Sequence, residues 1–346
     1  MRKQVLSADE FLEVHSSAAV TFDARSPLEF EKAHIPGALN LPLMDNDDRH
    51  DIGIVYKREG RQAAVIRGFE RVGPRFHDLV RKGIELAGHN PVLVYCWRGG
   101  MRSNILAWLL RTAGLKVQLL EGGYKSYRRL MLEKLTQPPR MLVLGGKTGS
   151  GKTEMLMRLK DSSQSVLDLE GMASHKGSAF GSLGLPAQPS QEQFENRIGM
   201  ELWSLGEQKP VWVENESRLI GERIVPTPLF EHMRKAPVLE VIVDRSERKT
   251  RILREYGIFP SADLAFHTKR ISKRMGPQYV KAALEYLDQG DISGWVDLVL
   301  DYYDKTYQHS REQRDSSNIT EVPFSWENPD SGLVQLIAAS DRIRFE

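Results

Sequence analysis

The sequence predicts an α/β protein of two domains, each built on a parallel sheet. The chain has 346 residues, which is about twice the length of one ordinary domain. Short apolar strands alternate with helical patterns along most of it, as in parallel sheets covered by helices. A polar stretch with a double proline, residues 135–140, separates two such patterns and is the predicted linker.

The composition is that of an ordinary globular protein, 40% hydrophobic and 27% charged. Its 48 lysines and arginines against 46 acids leave a net charge of +2, which alone does not indicate a nucleic-acid partner. No apolar run approaches the roughly 18 residues that cross a bilayer, and we expect a cytoplasmic protein with no membrane partner. The single cysteine excludes a disulfide framework, and we expect no zinc, haem or flavin.

The first domain is predicted over residues 1–134. Residues 18–24 and 91–96 have the pattern of buried strands, and residues 116–120 form a third strand. Residues 103–113 have a helical apolar pattern that ends near a glycine.

A loop with the only cysteine connects the strand at 91–96 to this helix. It consists of residues 96–103, Cys-Trp-Arg-Gly-Gly-Met-Arg-Ser. Backbone amides and the helix dipole in such a loop stabilise a thiolate, and Arg98 and Arg102 add positive charge. We therefore predict Cys96, Arg98 and Arg102 as catalytic, although a lone cysteine is ordinarily a small buried hydrophobe. The five residues between Cys96 and Arg102 fit cysteine phosphatases, and sulfur carriers use a similar loop for a persulfide.

The second domain is predicted over residues 141–346. It begins with a strand at 141–144, and further strands are expected at 165–169, 211–214 and 238–243. From about residue 246 onward the pattern is mainly helical and charged. The predicted class is thus a P-loop NTPase-like α/β domain with a helical C-terminal part.

A phosphate-binding loop follows the first strand of this domain. The sequence fits the pattern G-x-x-x-x-G-K-[ST] at Gly146, Lys147, Thr148, Gly149, Ser150, Gly151, Lys152 and Thr153. The glycines let amides surround a phosphate, Lys152 can reach its terminal oxygens, and the Thr153 hydroxyl suits a Mg²⁺ ion. The loop recognises a polyphosphate and does not by itself select a nucleotide base.

An acidic residue at a neighbouring strand end is expected beside such a loop. Asp168 and Glu214 both follow predicted strands and are weighed equally. His175, in a predicted loop after Asp168, could act on a proton or a phosphate, the ordinary alternative being a surface histidine.

A basic segment lies between Asp244 and Lys281, with ten lysines and arginines against four acids, a net charge of +6. A solvated helix face and an RNA-phosphate surface are equally good interpretations of such a run. The candidate RNA-binding residues are Arg245, Arg248, Lys249, Arg251, Arg254, Lys269, Arg270, Lys273 and Arg274.

Residues 22–42 resemble the N-terminal signature of rhodanese-like domains. The resemblance rests on Asp23, Arg25, Glu29 and the run His34-Ile-Pro-Gly-Ala38. The cysteine loop is one residue longer than in most such domains, so that it could admit a group larger than sulfur.

The chain as a whole resembles the tRNA 2-selenouridine synthase family, in which a rhodanese-like domain precedes a P-loop domain. Besides the two loops, the matching runs are Asp168-Leu-Glu-Gly171, His175-Lys-Gly-Ser-Ala-Phe-Gly181, Gln188-Pro-Ser-Gln-Glu-Gln-Phe-Glu195 and Glu214-Asn-Glu-Ser-Arg-Leu-Ile-Gly221. The resemblance implies a transferase acting on wobble 2-thiouridine of tRNA. It implies S-geranylation with geranyl diphosphate, then replacement of the geranylated sulfur by selenium from selenophosphate, which a separate enzyme supplies. The family's essential cysteine falls on Cys96.

Two other functions remain as alternatives. The first is a P-loop kinase or nucleotide hydrolase with a phosphatase-like or sulfurtransferase regulatory domain. The second is an RNA-binding scaffold in which both loops are inactive, although such a protein need not keep Lys152 and Thr153.

Overall fold

The computed structural model describes residues 3–312 and 314–345. It divides the chain into two compact units, one of Met1–Glu133 with Glu195–Met200 and the other of Lys134–Phe194 with Glu201–Glu346. The predicted linker at 135–140 does not coincide with the boundary between the units, which lies between Glu133 and Lys134. Leu135 and Thr136 are still helical, in a helix that spans Gly123–Thr136, so the double proline follows the boundary between the units.

The first unit holds one five-stranded sheet in which all neighbours are parallel. Its strands are β1 (Val5–Leu6), β2 (Val20–Asp23), β3 (Leu39–Asn40), β4 (Val92–Tyr95) and β5 (Val117–Leu120). Their order is β1-β5-β4-β2-β3, which makes β4 the central strand. The helices are α1 (Ala8–His15), α2 (Pro27–Lys32), α3 (Asn46–Glu59), α4 (Arg61–Val72), α5 (Phe76–Ala87), α6 (Met101–Thr112) and α7 (Gly123–Thr136).

The central strand is apolar on both faces because helices cover both sides of the sheet. Val94 packs with Phe22, Leu106 and Leu119 in the core of this unit. Helices α3 and α4 were not anticipated from the sequence. They meet at Gly60, whose φ of +88° is a conformation that glycine adopts without strain.

The second unit contains a second parallel sheet of five strands and a separate antiparallel hairpin. Its strands are β6 (Met141–Gly145), β7 (Ser165–Leu167), β8 (Val211–Glu214), β9 (Leu219–Ile220), β10 (Arg223–Ile224), β11 (Val238–Ile242) and β12 (Ile319–Pro323). The sheet order β12-β11-β6-β8-β7 places β6 at the centre.

Ten helices accompany these strands among the described residues of the second unit. They are α8 (Lys152–Asp161), α9 (Leu169–Ala173), α10 (Gln191–Leu205), α11 (Thr227–Lys235), α12 (Arg245–Tyr256), α13 (Ser261–Arg270), α14 (Ser272–Met275), α15 (Pro277–Asp288), α16 (Ile292–Glu312) and α17 (Pro329–Ser340). The expectation of a helical C-terminal part is confirmed. No helix within the described ranges has the length and hydropathy needed to cross a membrane.

The middle of α10, Glu195–Met200, belongs to the first unit by its contacts. Arg128 forms an ion pair with Glu195 and donates a hydrogen bond to Asn196 Oδ1 over 3.0 Å. The buried Asn196 amide in turn donates to the Tyr124 hydroxyl over 2.7 Å. The first unit is therefore completed by residues that come much later in the sequence.

Candidate active sites

The cysteine loop leaves the carboxyl end of the central strand β4 and enters α6. Its backbone is held by α7, because Tyr124 N–H donates to Cys96 O over 2.8 Å and Lys125 N–H donates to Trp97 O over 3.0 Å. A Cβ on Gly123 would overlap Cys96 O, so only glycine permits this approach. The loop shape is thus set by the glycine turn before α7 as well as by its own glycines.

The Cys96 thiol is buried and faces the first turn of α6. Its Sγ lies 3.1 Å from Ser103 Oγ, which is also 3.0 Å from Gly100 O. When the Ser103 hydroxyl donates to Gly100 O, it accepts from the thiol, and when it turns, it can donate to a thiolate. The serine and the amino terminus of α6 therefore suit either protonation state of Cys96.

The two arginines predicted as catalytic have different surroundings. Arg102 forms an ion pair with Glu29 at 2.5 Å, and Arg49 contacts the same carboxylate at 3.2 Å. Burial raises the pKa of Glu29, but the hydrogen bond and charge of Arg102 outweigh it and leave the pKa below its usual value. Arg98 is exposed and forms no ion pair within the part of the chain that the structure describes.

The signature residues Asp23 and Arg25 lie beneath the loop and act structurally. Their side chains form an ion pair at 2.6 Å and are 0% and 1% exposed. The Arg25 guanidinium also lies 4.1 Å from the centre of the Tyr124 ring, against the same helix that holds the cysteine loop. This buried ion pair therefore packs against α7, the helix that holds the cysteine loop.

The phosphate-binding loop leaves the central strand β6 and enters α8, as predicted. Gly149 and Gly151 have φ values of +81° and +83°, which turn the backbone through conformations that favour glycine. Gly146 N–H donates to the Tyr307 hydroxyl over 2.8 Å, and Trp326 Nε1 donates to Ser150 O over 2.9 Å. Side chains from the C-terminal third of the chain therefore hold the loop open.

Lys152 and Thr153 point to the positions that the motif requires. Lys152 Nζ donates to Gly146 O over 3.1 Å and lies 3.7 Å from Glu214 Oε1. The Thr153 hydroxyl lies 3.1 Å from Glu170 Oε2 and 3.3 Å from Glu214 Oε2. The structure thus places the Glu214 carboxylate beside the loop.

Three carboxylates form a cluster here, those of Glu170, Glu214 and Glu216, with one oxygen of each within 4.8 Å of the others. Glu170 and Glu214 contact the Thr153 hydroxyl. Burial and the charges of its two neighbours raise the pKa of Glu170 to about 9. Burial and the charge of Glu214 raise the pKa of Glu216 to about 8, and burial also raises the pKa of Glu214. Such a group of hard oxygen ligands, with the Thr153 hydroxyl, fits a divalent cation such as Mg²⁺.

Asp168, the other predicted acid, lies at the start of α9, and its role beside the loop stays a prediction. β7 ends at Leu167, two residues short of the predicted strand, because Asp168 caps α9 by accepting from Gly171 N–H over 2.8 Å. Glu170, two residues further along, contacts the Thr153 hydroxyl together with Glu214. The sequence search missed Glu170 and Glu216, although both lie within the matching runs at 168–171 and 214–221.

His175 is buried and does not line the cavity at the phosphate-binding loop. Burial and the nearby charge of Arg270 lower the pKa of its imidazole. A Cβ on Gly181 would lie 2.7 Å from this ring, so the histidine is packed tightly against the backbone. His175 is thus packed against the backbone with a buried Nδ1 that has no hydrogen-bond partner among the described residues, and its role on a proton or a phosphate stays a prediction.

Some cations of the basic segment are paired with acids, and others are exposed. Arg245 pairs with Asp301 and Lys249 with Asp297, each at 2.7 Å, and Arg248 pairs with Asp304 at 2.8 Å. Arg248 is only 4% exposed and donates to Thr148 O, so the expectation that it contacts RNA does not hold. Five side chains stay exposed without an ion pair among the described residues, those of Arg254, Lys269, Arg270, Lys273 and Arg274.

Arg251, on α12, is the cation of the basic segment whose side chain lies in the cavity at the phosphate-binding loop. It lies 3.7 Å from the Trp326 ring centre, donates to Glu154 over 2.6 Å and lines a cavity of about 280 Å³ with Lys152 and Thr153. A Cβ on Gly151 would lie 2.7 Å from the Arg251 guanidinium. Arg251 thus lines the cavity at the loop while its charge is paired with Glu154.

Comparison with known proteins gives matches in both units. A family model described as a rhodanese-like domain matches residues 7–130, and one described as the tRNA 2-selenouridine synthase AAA domain matches residues 139–289. A tRNA 2-selenouridine synthase of Marinobacter nauticus is 33% identical, over 88% of this chain and 92% of its own length. Proteins of the same name from Cupriavidus necator (34%; 89% and 92%) and Pseudomonas syringae (36%; 84% and 88%) are similarly related.

Proposed function

The chain belongs to the tRNA 2-selenouridine synthase family, and from this premise we propose how it acts. It is a transferase-type enzyme that forms 2-selenouridine in tRNA. One observation supports a two-step route. A thiol follows the central strand of one sheet, and a phosphate-binding loop with a cation-binding carboxylate cluster follows the central strand of the other.

The phosphate-binding loop serves the first step, S-geranylation. The sulfur of wobble 2-thiouridine bonds to C1 of geranyl diphosphate, the C1–O bond breaks, and pyrophosphate leaves. The N3 proton of the base passes to solvent water, so that the S-geranyl nucleoside is neutral. Lys152 and the loop amides stabilise the charge on the departing pyrophosphate.

Thr153, Glu170, Glu214 and Glu216 are the residues that would hold Mg²⁺ beside the leaving group. Bound there, the ion would neutralise developing pyrophosphate charge. Without a cation, burial keeps protons on part of this cluster, as the raised pKa values of Glu170 and Glu216 indicate.

The cysteine loop serves the second step, selenium transfer. Selenium of selenophosphate bonds to C2 of the S-geranyl nucleoside, the C2–S bond breaks, and water then cleaves the Se–P bond to give phosphate. Cys96 donates its proton to the departing geranyl thiol, and Ser103 supports the resulting thiolate until it is reprotonated. Cys96 forms no selenosulfide in this route. Selenophosphate carries selenium in its reduced state, so an oxidant would be needed to form the S–Se bond.

The tRNA phosphates are bound by the exposed basic side chains of α12, α13 and α14. Of the nine original candidates, Arg254, Lys269, Arg270, Lys273 and Arg274 keep their charge without an acidic partner among the described residues. Unpaired surface cations are the groups that release counterions when they meet phosphates, and binding should be sensitive to salt.

The alternative is a P-loop kinase or nucleotide hydrolase with a phosphatase-like domain. A phosphatase requires its loop arginine to bind phosphate, whereas Arg102 is already neutralised by Glu29. This pairing favours the transferase.

The deciding experiment is nucleoside mass spectrometry of tRNA containing 2-thiouridine. The tRNA is incubated with the protein, geranyl diphosphate and selenophosphate, beside a Cys96→Ala variant. We expect a geranylated intermediate followed by selenouridine, and in the variant the geranylated nucleoside should accumulate. An unchanged nucleoside profile together with consumption of added ATP would instead support the kinase alternative.

A further inference from the structure

A cavity of about 610 Å³ in the helical C-terminal part of the second unit has no role in the steps above. It is lined by residues of α14, α15 and α16. Those from α16 include Leu298, Tyr302, Lys305 and His309, which recur at intervals of three and four positions and therefore share one face of the helix. The cavity is thus built along one side of a single long helix.

Two tyrosines line this cavity, one from each of its longer helices. Tyr279, on α15, is 44% exposed, and Tyr302, on α16, is partly buried. Lys305 Nζ lies 5.5 Å from the centre of the Tyr279 ring, so that an ammonium group and an aromatic ring meet in the same cavity. An exposed ring beside a cation is typical of sites on which nucleobases stack.

The charge of the lining is positive. Among its described residues Asp301 is the one acid, and it is paired with Arg245 at 2.7 Å. Arg274 and Lys305 are exposed, and neither forms an ion pair within the described part of the chain. Two cations are therefore left for an anionic partner. Together with the tyrosine rings they match a nucleotide, which carries an aromatic base and a phosphate in one residue.

The cavity is continuous with the side chains proposed above to bind tRNA phosphates. Arg274 belongs both to that set and to the lining, and Lys273 precedes it on α14. An RNA strand that follows the cations of α13 and α14 therefore reaches the cavity at Arg274. This continuity favours RNA as the source of the nucleotide.

We propose that this cavity binds an unpaired nucleotide of the tRNA, other than the uridine that is modified. The inference rests on the tRNA modification proposed above. The base stacks on the Tyr279 ring, and its phosphate contacts Arg274 and Lys305. The described lining contains neither Cys96 nor a residue of the phosphate-binding loop, so the nucleotide held here is an anchor and not the reacting base.

Helix α16 connects this anchor with the phosphate-binding loop. The rings of Tyr302 and Tyr303 are 5.0 Å apart, but Tyr303 lines the cavity at the phosphate-binding loop. Tyr307 lines that second cavity too, and its hydroxyl accepts from Gly146 N–H over 2.8 Å. A nucleotide held on one face of α16 therefore fixes the tRNA against the same helix that supports the phosphate-binding loop.

The test compares two tyrosines of α15. Tyr279→Leu removes the ring from the cavity and keeps an apolar side chain. Tyr286→Leu is the matched control, because Tyr286 lies on the same helix, is 37% exposed and is not part of the lining. The probes are tRNA containing 2-thiouridine and a fully paired RNA duplex of the same length. Affinities of the full-length proteins are measured over a range of salt concentrations.

We expect Tyr279→Leu to weaken tRNA binding about tenfold without changing the slope of log affinity against log salt, because stacking releases no counterions. Tyr279→Phe keeps a ring and should retain most of the affinity. Lys305→Ala should weaken binding and also reduce that slope by about one. The duplex has no unpaired base to offer, so Tyr279→Leu and Tyr286→Leu should bind it equally.

The outcomes separate the cavity from the general function. Formation of selenouridine by the unsubstituted protein tests the proposed function, and the affinities of the variants test the cavity. The cavity proposal is overturned if Tyr279→Leu binds tRNA as tightly as Tyr286→Leu, or if Tyr279→Phe loses as much affinity as Tyr279→Leu. An equal loss of duplex binding in Tyr279→Leu would overturn it too. Thermal unfolding of each variant checks that its helices remain folded, and Lys305→Ala, an exposed position, tests the cavity independently of the ring.

Discussion

Both candidate active sites follow the central strand of a five-stranded parallel sheet, but their charges are arranged differently. Around the cysteine loop, the acids have arginine partners: Asp23 pairs with Arg25, and Glu29 pairs with Arg102. Around the phosphate-binding loop, three carboxylates face Lys152, and burial raises the pKa values of all three.

The difference shows how the same strand–loop–helix arrangement serves two kinds of chemistry. The first loop is balanced without any ligand, which suits a neutral thioether and a thiol. The second has three carboxylates beside one lysine, and the raised pKa values of Glu170 and Glu216 keep protons on part of the cluster. A divalent cation that displaced those protons would find hard oxygen ligands there. The two loops differ mainly in the side chains that other elements place beside them, which are ion-paired acids at the first loop and a carboxylate cluster at the second.

The Lys152→Ala substitution is the strongest test of the contrast between the cysteine loop and the phosphate-binding loop. Removing this ammonium should lower geranylation about 10³-fold, because the charge of the leaving pyrophosphate loses a positioned cation. Selenation of tRNA supplied already geranylated should continue at its normal rate. A matched Lys147→Ala variant removes a cation from a position at which the motif allows any residue. Its geranylation rate should fall far less than that of Lys152→Ala. Equal loss in both steps would mean that the loops do not divide the work.

The buried ion pairs beneath the loops provide the next test. Asp23→Asn leaves Arg25 charged and fully buried, and we expect it to lower the free energy of unfolding by about 3 kcal/mol. Asp304→Asn should cost less, about 1–2 kcal/mol, because Asp304 is 17% exposed and Arg248 keeps a hydrogen bond to Thr148 O. Chemical denaturation of the two variants measures both values, and a larger loss for Asp304→Asn would contradict this ranking.

The carboxylate cluster predicts a specific dependence on pH and magnesium. Glu170 and Glu216 have pKa values of about 9 and about 8 in the metal-free fold, against an ordinary 4.5. The folded state thus binds more protons than the unfolded state between pH 4.5 and 9, so the stability from this cluster falls as pH rises through that window.

Magnesium should reverse this loss at about pH 8. At about a hundredfold excess over its dissociation constant it should stabilise the protein by about 2–3 kcal/mol, or several degrees of melting temperature. Glu216→Gln should flatten the pH dependence and weaken the magnesium effect. Identical melting curves with magnesium and with a chelator at that pH would argue against a cation site.

The smallest effect is expected on tRNA affinity. Replacing the exposed Lys269 and Lys273 by alanine should weaken binding about tenfold and reduce the slope of log affinity against log salt by about two. The matched control replaces Arg245 and Lys249, which are already paired with Asp301 and Asp297. If the control loses as much affinity as the test variant, ion pairing does not decide which cations bind RNA.

Local patterns predicted the cysteine loop and the phosphate-binding loop because each is a contiguous motif between a strand and a helix. The core strands were also found, since continuous apolar runs mark strands buried on both faces. Strands of two residues, such as β1 and β3, were missed because they carry too few residues for a pattern. Helix α3 was missed because its residues are mostly polar and exposed, whereas the apolar residues of α4 recur on one face and were overlooked.

The roles that depended on distant partners could not be read from the sequence. Counting charges between residues 244 and 281 gave a basic surface, but α16, which begins at Ile292, supplies the aspartates that neutralise part of it. Likewise, Asp168 and Glu170 both follow β7, and only the geometry shows that the first caps a helix while the second faces Thr153.

The contribution of α10 to the first unit has a consequence for how the chain is made on the ribosome. Amino-terminal domains usually fold first during synthesis, at about 5–20 residues per second. Arg128 meets Asn196, which lies 68 positions later, so the first unit waits about 3–14 s for its last partners. During that interval the nascent chain exposes Tyr127 and Met131, which Asn196 and Gly199 later cover. The amino-terminal unit is thus finished only after part of the P-loop unit has been translated.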